Sequence, residues 1–171
     1  SPQAYTPRGF TQSRPVPECW GRYLRCGVPQ ITLPIVNLRC VVPMAIGMGA
    51  KQTRRLLEAG DIVPEPVEVQ AMVDTGTRRS VIDPELASVL GLERMGTSRL
   101  SNSSSEGHEV PAYDLAAAIL HRGKRHWLNQ DLRAIGAPIR HGGFHILLGM
   151  DLLSGRLLTV DGKAGVFTLR T

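Results

Sequence analysis

The sequence predicts an all-β protein, a small closed barrel carrying one or two short helices. Three observations lead there. The 18 glycines and 12 prolines among 171 residues favour strands and turns over a helical bundle. Apolar residues fall in short β-branched or alternating segments, at 31–42, 67–73, 110–120, 127–135, 144–148 and 166–170, a spacing that suits a small closed sheet. Helical patterns are confined to short stretches.

In chain order, residues 1–28 are expected to be an extended or disordered lead-in, since 1–17 is rich in proline and glycine and lacks apolar periodicity. Residues 31–42 suit a strand pair or one long strand. Residues 50–59 predict a helix with Leu56 and Leu57 apolar, Arg54 and Arg55 basic, and Gly60 as its stop. Pro64 and Pro66 forbid further helix, and 67–73 alternates as a strand. Residues 83–90 form a second short helix, with Asp83 as N-cap, Pro84 in the first turn and Gly91 as the stop. The serine-rich 100–107 is expected to be a polar loop, and 110–120 and 127–135 to be strands flanking a turn at Gly123. A buried strand at 144–148, a helical turn at 151–153 and a closing strand at 166–170 complete the order.

Several function classes are disfavoured. The net charge of +5 suggests nucleic acid, but the basic residues (Arg14, Arg39, Arg54, Arg55, Arg78, Arg79, Arg99, Arg122 and Arg133 among them) are scattered. Aromatics make up only 5% of the chain, so no nucleic-acid partner is expected. The longest apolar candidate for a membrane span, 41–50, is broken by Pro43, Gly47 and Gly49. No signal peptide is recognisable, and a chain beginning at Ser1 is compatible with prior trimming or a longer, membrane-anchored precursor. Cys19, Cys26 and Cys40 match no zinc spacing and leave the compartment open. His141 and His145 are separated by Gly142 and Gly143, which argues against a helical ligand pair. With His108, His121 and His126 they suit solvated loops, and no metal or other cofactor is expected. Ser101, Ser103, Ser104 and Ser105 lack the base and elbow of a serine nucleophile.

The chemistry centres on Asp74-Thr75-Gly76-Thr77, which follows an apolar strand and precedes Ser80-Val81-Ile82. A lone Asp-Thr-Gly is commonly a harmless turn. Here the strand delivers the carboxylate to a fixed place, Gly76 lets the backbone turn sharply, and Thr75 offers a hydroxyl and an amide to brace a partner loop. About 70 residues on, Ile146-Leu147-Leu148-Gly149 sets an apolar run against a glycine that permits close backbone packing. Asp151 stands where a helix begins and suits an N-cap rather than a catalytic acid.

Together these two elements resemble the retropepsin family, the dimeric aspartic proteases of retroviruses and their cellular and bacterial relatives. The resemblance runs over about 67–170, with Leu148, Gly149 and Asp151 as its structural motif and Pro29-Gln30-Ile31-Thr32-Leu33 similar to the opening strand of viral members. Thr77 stands where alanine or serine is commoner, and 41–66 is longer than in viral members, suggesting a helical insertion within a protease domain spanning 29–171. The resemblance implies an aspartic endopeptidase working as a homodimer on peptides or unfolded proteins. Asp74 would be catalytic and Thr75, Gly76 and Thr77 would support its loop. Ser103, Ser104 and Ser105 would belong to a substrate-covering flap, and Val81, Ile82, Val110 and Ile146 would line pockets. Two carboxylates about 3 Å apart share one proton, so one can act as base while the other polarises the scissile carbonyl. The chain has one such triplet, hence the need for a second copy. Two alternatives stay open: a non-catalytic dimerisation or peptide-binding module of this fold, and a basic nucleic-acid-associated protein.

Overall fold

The computed structural model describes residues 30–102, 105–139 and 143–171, with backbone alone for 100–102 and 105–106. The lead-in expected at 1–28, Ser103, Ser104 and His141 lie outside the described residues. The chain opens with β1 (Gln30–Val36) and β2 (Arg39–Met48), joined by Asn37 and Leu38. Both turn residues have positive φ, 49° and 60°, the backbone that a two-residue hairpin needs to match strand twist. Asparagine tolerates this conformation; Leu38 gains nothing from it and is 97% exposed.

Helix α1 (Ala50–Ala59) follows with the bounds its pattern predicts. Gly60, at φ 77°, sends its N–H to Leu57 O, and Asp61 N–H reaches Leu56 O at 2.9 Å, closing the C-terminus in a Schellman arrangement. Its N-terminus has no local side-chain cap; instead Asp131, from a distant strand, accepts from Lys51 N–H at 3.3 Å. The buried Gln52 amide ties the helix to the chain after the second helix, donating to Gly91 O and accepting from Glu93 N–H.

The remaining elements are β3 (Val67–Val73), β4 (Val81–Ile82), α2 (Pro84–Val89), β5 (Arg94–Asn102), β6 (Ser105–His121), β7 (Lys124–Gly136), β8 (Ile146–Leu148), α3 (Met150–Leu153), β9 (Leu157–Asp161) and β10 (Val166–Arg170). As expected, Asp83 caps α2, its carboxylate accepting from Glu85 N–H at 2.9 Å. The strands follow the order β5-β6-β7-β4-β8-β3-β2-β1-β10-β9, and a further pairing of β6 with β2 closes β2, β3, β8, β4, β7 and β6 into a six-stranded barrel. The stretch 41–66, set apart above as an insertion, supplies α1 and most of β2, the strand that makes this closure. Beyond the ring, β1, β10 and β9 form an antiparallel sheet, and β5 pairs with the first half of β6 as a two-stranded arm.

The barrel is filled by Met44, Ile46, Ile82, Leu115, Ile119, Ile146, Leu148 and Leu152, all fully buried. Each such side chain contributes about 1.5–3 kcal/mol. Ile31, Phe167 and Leu169 extend this core under the terminal sheet.

Three expectations need correction. Residues 100–102 and 105–107 are strand rather than loop: Leu100 pairs with His108 and Asn102 with Ser105 across β5 and β6. The interior strand at 144–148 is shorter, because only Ile146–Leu148 pairs, Phe144 being buried ahead of it. His108, His121 and His126 sit on strands rather than loops, the last two with rings 6.3 Å apart.

On facing strands, Arg133 forks onto Asp114 with bonds of 2.7 and 2.9 Å. The Arg133 hydrogen bond holds the Asp114 carboxyl below its usual range, outweighing its burial, which acts the other way. A depressed folded-state pKa stabilises the fold above the unfolded value near about 4 and is lost as pH falls through the lower folded value. The urea midpoint should therefore drop as pH falls from about 4, and Asp114→Asn should flatten that drop. An equally steep drop in the variant would assign the acid sensitivity elsewhere.

Candidate active site

Strand β3 pairs in parallel with β8, Val73 beside Leu148, and Asp74 N–H continues the ladder to Leu148 O at 3.0 Å. The carboxylate therefore leaves the sheet at a fixed point. Its Oδ1 accepts from Gly76 N–H at 2.9 Å, and Thr77 N–H turns back to Asp74 O at 3.4 Å. A Cβ on Gly76 would stand 3.2 Å from that same Oδ1. Among the described residues nothing bonds Asp74 Oδ2, and the side chain is half-exposed. One oxygen is braced and the other is open. That suits a carboxylate meant to meet another group.

The chain leaving this loop is clamped to α3. Met150 N–H reaches Thr77 O at 2.9 Å and Asp151 N–H reaches Arg78 O at 3.0 Å. The Asp151 carboxylate takes Ser80 N–H on both oxygens at 2.9 Å, Ser80 Oγ at 2.8 Å and Leu152 N–H at 2.8 Å. Ser80 Oγ in turn accepts from Gly149 N–H at 3.1 Å. This corrects the N-cap expected of Asp151. Gly149 occupies the cap, and Asp151, inside the first turn, holds the loop 71 residues upstream. Fully buried Ser80 is the residue that sequence reasoning missed, since nothing local marks a single serine between Arg79 and Val81.

Gly149 is required by proximity rather than by its φ of −86°. A Cβ there would lie 2.5 Å from Arg79 C, 2.7 Å from Arg79 O and 2.8 Å from Ser80 N, all backbone. Gly149→Ala should therefore force the clamp apart and cost about 1–3 kcal/mol or more, read as a lower urea midpoint. An unchanged midpoint would mean that the two backbones are not in contact.

The structure brings together Asp74, Gly76, Thr77, Leu148, Gly149 and Asp151, with Thr75 exposed at the loop's tip. The apolar candidates separate. Ile82 and Ile146 face each other in the core at 0% exposure, and Val81, also buried at 6% exposure, is opposite Leu147 on the other face of the same strand pair. Leu147 is only half-buried, a position that the sequence alone did not single out. Val110 is half-buried on the arm opposite Ser98, and Ser105 opens β6 there. A cleft of about 440 Å³ lies behind the loop, lined by Lys51, Arg79, Asp114, Asn129, Asp131, Leu132, Arg133 and Asp151, and Asp74 is not part of it. No group of His, Cys, Asp and Glu suited to a metal occurs among the described residues, and no helix there is long and apolar enough to cross a membrane. Cys40 is half-buried, which pushes its thiol pKa up.

A closed six-stranded barrel with one Asp-Thr-Gly loop, braced by an apolar-Gly segment, is the retropepsin-like all-β fold. The family described as aspartyl protease matches residues 60–152, over half of the chain. A solved retropepsin-like aspartic protease from Rickettsia conorii is similar at 18% identity and a TM-score of 0.51, over 84% of this chain and 91% of that one. EIAV protease complexed with the inhibitor HBY-793 matches at 19% identity and a TM-score of 0.35, over 69% of this chain and 89% of that one. No curated protein matches. The chain belongs to the aspartyl protease family.

Proposed function

We propose that two copies of this chain form an aspartic endopeptidase, each giving one Asp74 carboxylate to a shared site on a two-fold axis. The observation that carries this reading is the single Asp-Thr-Gly loop per chain, its carboxylate braced at Oδ1 and open at Oδ2. A lone carboxylate of this kind has no partner with which to share a proton; a second copy supplies it. The ionised member takes a proton from water, which attacks the peptide carbonyl, while the protonated member hydrogen-bonds the carbonyl oxygen. The two share one proton, so neither copy is permanently acid or base. The reaction asks only for water and the two carboxylates, and no cofactor enters it.

The substrate is an extended peptide or an unfolded segment. The arm of β5 and β6 covers it and pairs with its backbone as a strand would. Pockets for apolar side chains are assigned to the half-buried Leu147, with the buried Val81 opposite it, and to Val110 on the arm. Of the earlier candidates, the buried Ile82 and Ile146 support these pockets from behind. The catalytic domain is assigned to 29–171, with 1–28 as its lead-in. Peptide cleavage by the parent chain and by Asp74→Asn, side by side, decides the matter.

A further inference from the structure

The basic residues are scattered along the sequence except in one place. His121-Arg122-Gly123-Lys124-Arg125-His126 sets five basic side chains in six positions with no acid among them. The fold puts this run at the end of the hairpin of β6 and β7, with His121 opposite Lys124 and Leu120 opposite Arg125. Beyond Ile119, β6 has lost its pairing with β2, and β4 reaches β7 only at Ile135 and Gly136. The tip thus projects by about two residue pairs, or about 7 Å. Arg122, Lys124 and Arg125 are all exposed there. Glu65 approaches Arg125 at 3.7 Å from a side chain that is 89% exposed, a pairing that solvent and salt weaken. Among the described residues neither Arg122 nor Lys124 has an ion pair or a side-chain hydrogen bond.

The turn itself does not call for arginine. Arg122 has φ 50° and Gly123 φ 71°, the left-handed pair of a two-residue hairpin, where asparagine, aspartate or glycine sits most easily. A cation held there against its backbone preference, beside two more, is a feature that folding does not explain. Close by stands Trp127, 46% exposed. Trp127 is opposite Ala118 and Arg125 opposite Leu120, so the indole, the half-buried Leu120 and Arg125 share the hairpin's outer face. Along the row of Trp127, Ala118 pairs with Ala45 and Ala45 with Glu68, which places this acid three strand spacings away, about 14 Å.

Three cations and an indole on a convex tip fit a surface that is negatively charged outside and apolar beneath. We propose that the β6–β7 hairpin docks this protein on anionic lipid membranes, with Arg122, Lys124 and Arg125 against the headgroup anions and Trp127 at the headgroup level. Single-stranded nucleic acid is a poorer match. It is held along a groove that follows several phosphates and stacks successive bases on aromatic rings. These cations instead occupy one projecting turn with one exposed indole beside it. Docking of this kind asks nothing of Asp74 and stands or falls apart from the peptidase reading.

The test is sedimentation of the whole chain with vesicles of phosphatidylcholine alone, or of a roughly three-to-one mixture with phosphatidylserine. The chain should bind the mixed vesicles and not the neutral ones, and high salt should release it. Each cation near an anionic surface strengthens binding about fivefold, so Lys124→Gln should weaken it about fivefold and the triple Arg122→Gln, Lys124→Gln, Arg125→Gln variant about 100-fold. The three side chains are exposed, so the urea midpoint of the triple variant should stay close to that of the parent. Trp20 and Trp127 are the two tryptophans of the chain. In Trp20→Phe protein the emission of Trp127 should therefore shift to the blue on the mixed vesicles only. Failure to bind the mixed vesicles, equal binding to both kinds, or binding that survives the triple variant would each overturn the proposal. So would bound vesicles that leave the Trp127 emission unmoved. Tighter binding of a single-stranded oligonucleotide than of the mixed vesicles, lost in the same triple variant, would assign the hairpin to nucleic acid instead.

Discussion

Asp74→Asn should abolish peptide cleavage and leave the barrel standing. The substitution keeps the side chain's size and its Oδ1, which still accepts from Gly76 N–H, so the turn over residues 74–77 survives. What disappears is the ionisable group. An amide cannot take a proton from water or share one with its twin, and general acid–base chemistry of this kind contributes about 10²- to 10⁴-fold. Asp74 is half-exposed and outside the core, so the urea midpoint should move by no more than about 0.5 kcal/mol equivalent. The parent should show a bell-shaped rate profile peaking on the acid side of neutrality, because the pair must hold one proton. Cleavage by Asp74→Asn at a rate comparable to the parent would discard the assignment. A loss of rate accompanied by unfolding would instead indict the fold, and the midpoint measurement tells the two apart.

The parts of this structure that were legible in the sequence are those whose causes are local. Helix α1 is legible because Gly60 stops it and Pro64 and Pro66 prevent its resumption. Helix α2 is legible because Asp83, Pro84 and Gly91 each perform a local task at its ends. The long pair β6 and β7 alternates for enough residues to declare itself around Gly123. Strand β4 was invisible for the opposite reason. Two residues carry no periodicity, and Val81 and Ile82 are extended only because Ile135 and Leu147 flank them on either side. The strand ends at 100–102 and 105–107 failed differently. Their serine-rich sequence lacks the alternation that a half-buried strand shows, so backbone pairing is all that marks them as sheet.

The candidate site divides along the same line. Asp74 and Gly149 were recognisable because each belongs to a short motif with a mechanical reason. The role of Asp151 was not, since the local cue of a carboxylate at a helix start is common to caps and clamps alike. Only the closure of the barrel brings Ser80 within 2.8 Å of it. Likewise, which of Ile146 and Leu147 is buried turns on strand register. A shift of one residue exchanges the faces, and no local signal in a three-residue strand fixes it.

Dilution should switch the enzyme off. If each catalytic pair needs two chains, specific activity falls as total protein drops below the dimer dissociation constant, whereas a one-chain enzyme would keep its specific activity throughout. Mixing provides the sharper form of the test. If each Asp74 carboxylate works beside its copy, an Asp74→Asn chain that pairs with the parent makes a site holding only one acid. With random pairing, a ninefold excess of Asp74→Asn chains leaves about a tenth of the parent chains in productive pairs, and total activity should fall accordingly. The same excess of the doubly altered Asp74→Asn, Gly149→Ala chain should poison less, because displacing the backbone of Arg79 and Ser80 loosens the loop that presents residue 74. Sedimentation run at the concentrations of the assay supplies the control. Activity that ignores both dilution and excess Asp74→Asn, in a sample that sediments as a monomer, would show that one Asp-Thr-Gly loop works alone and would end the two-chain mechanism.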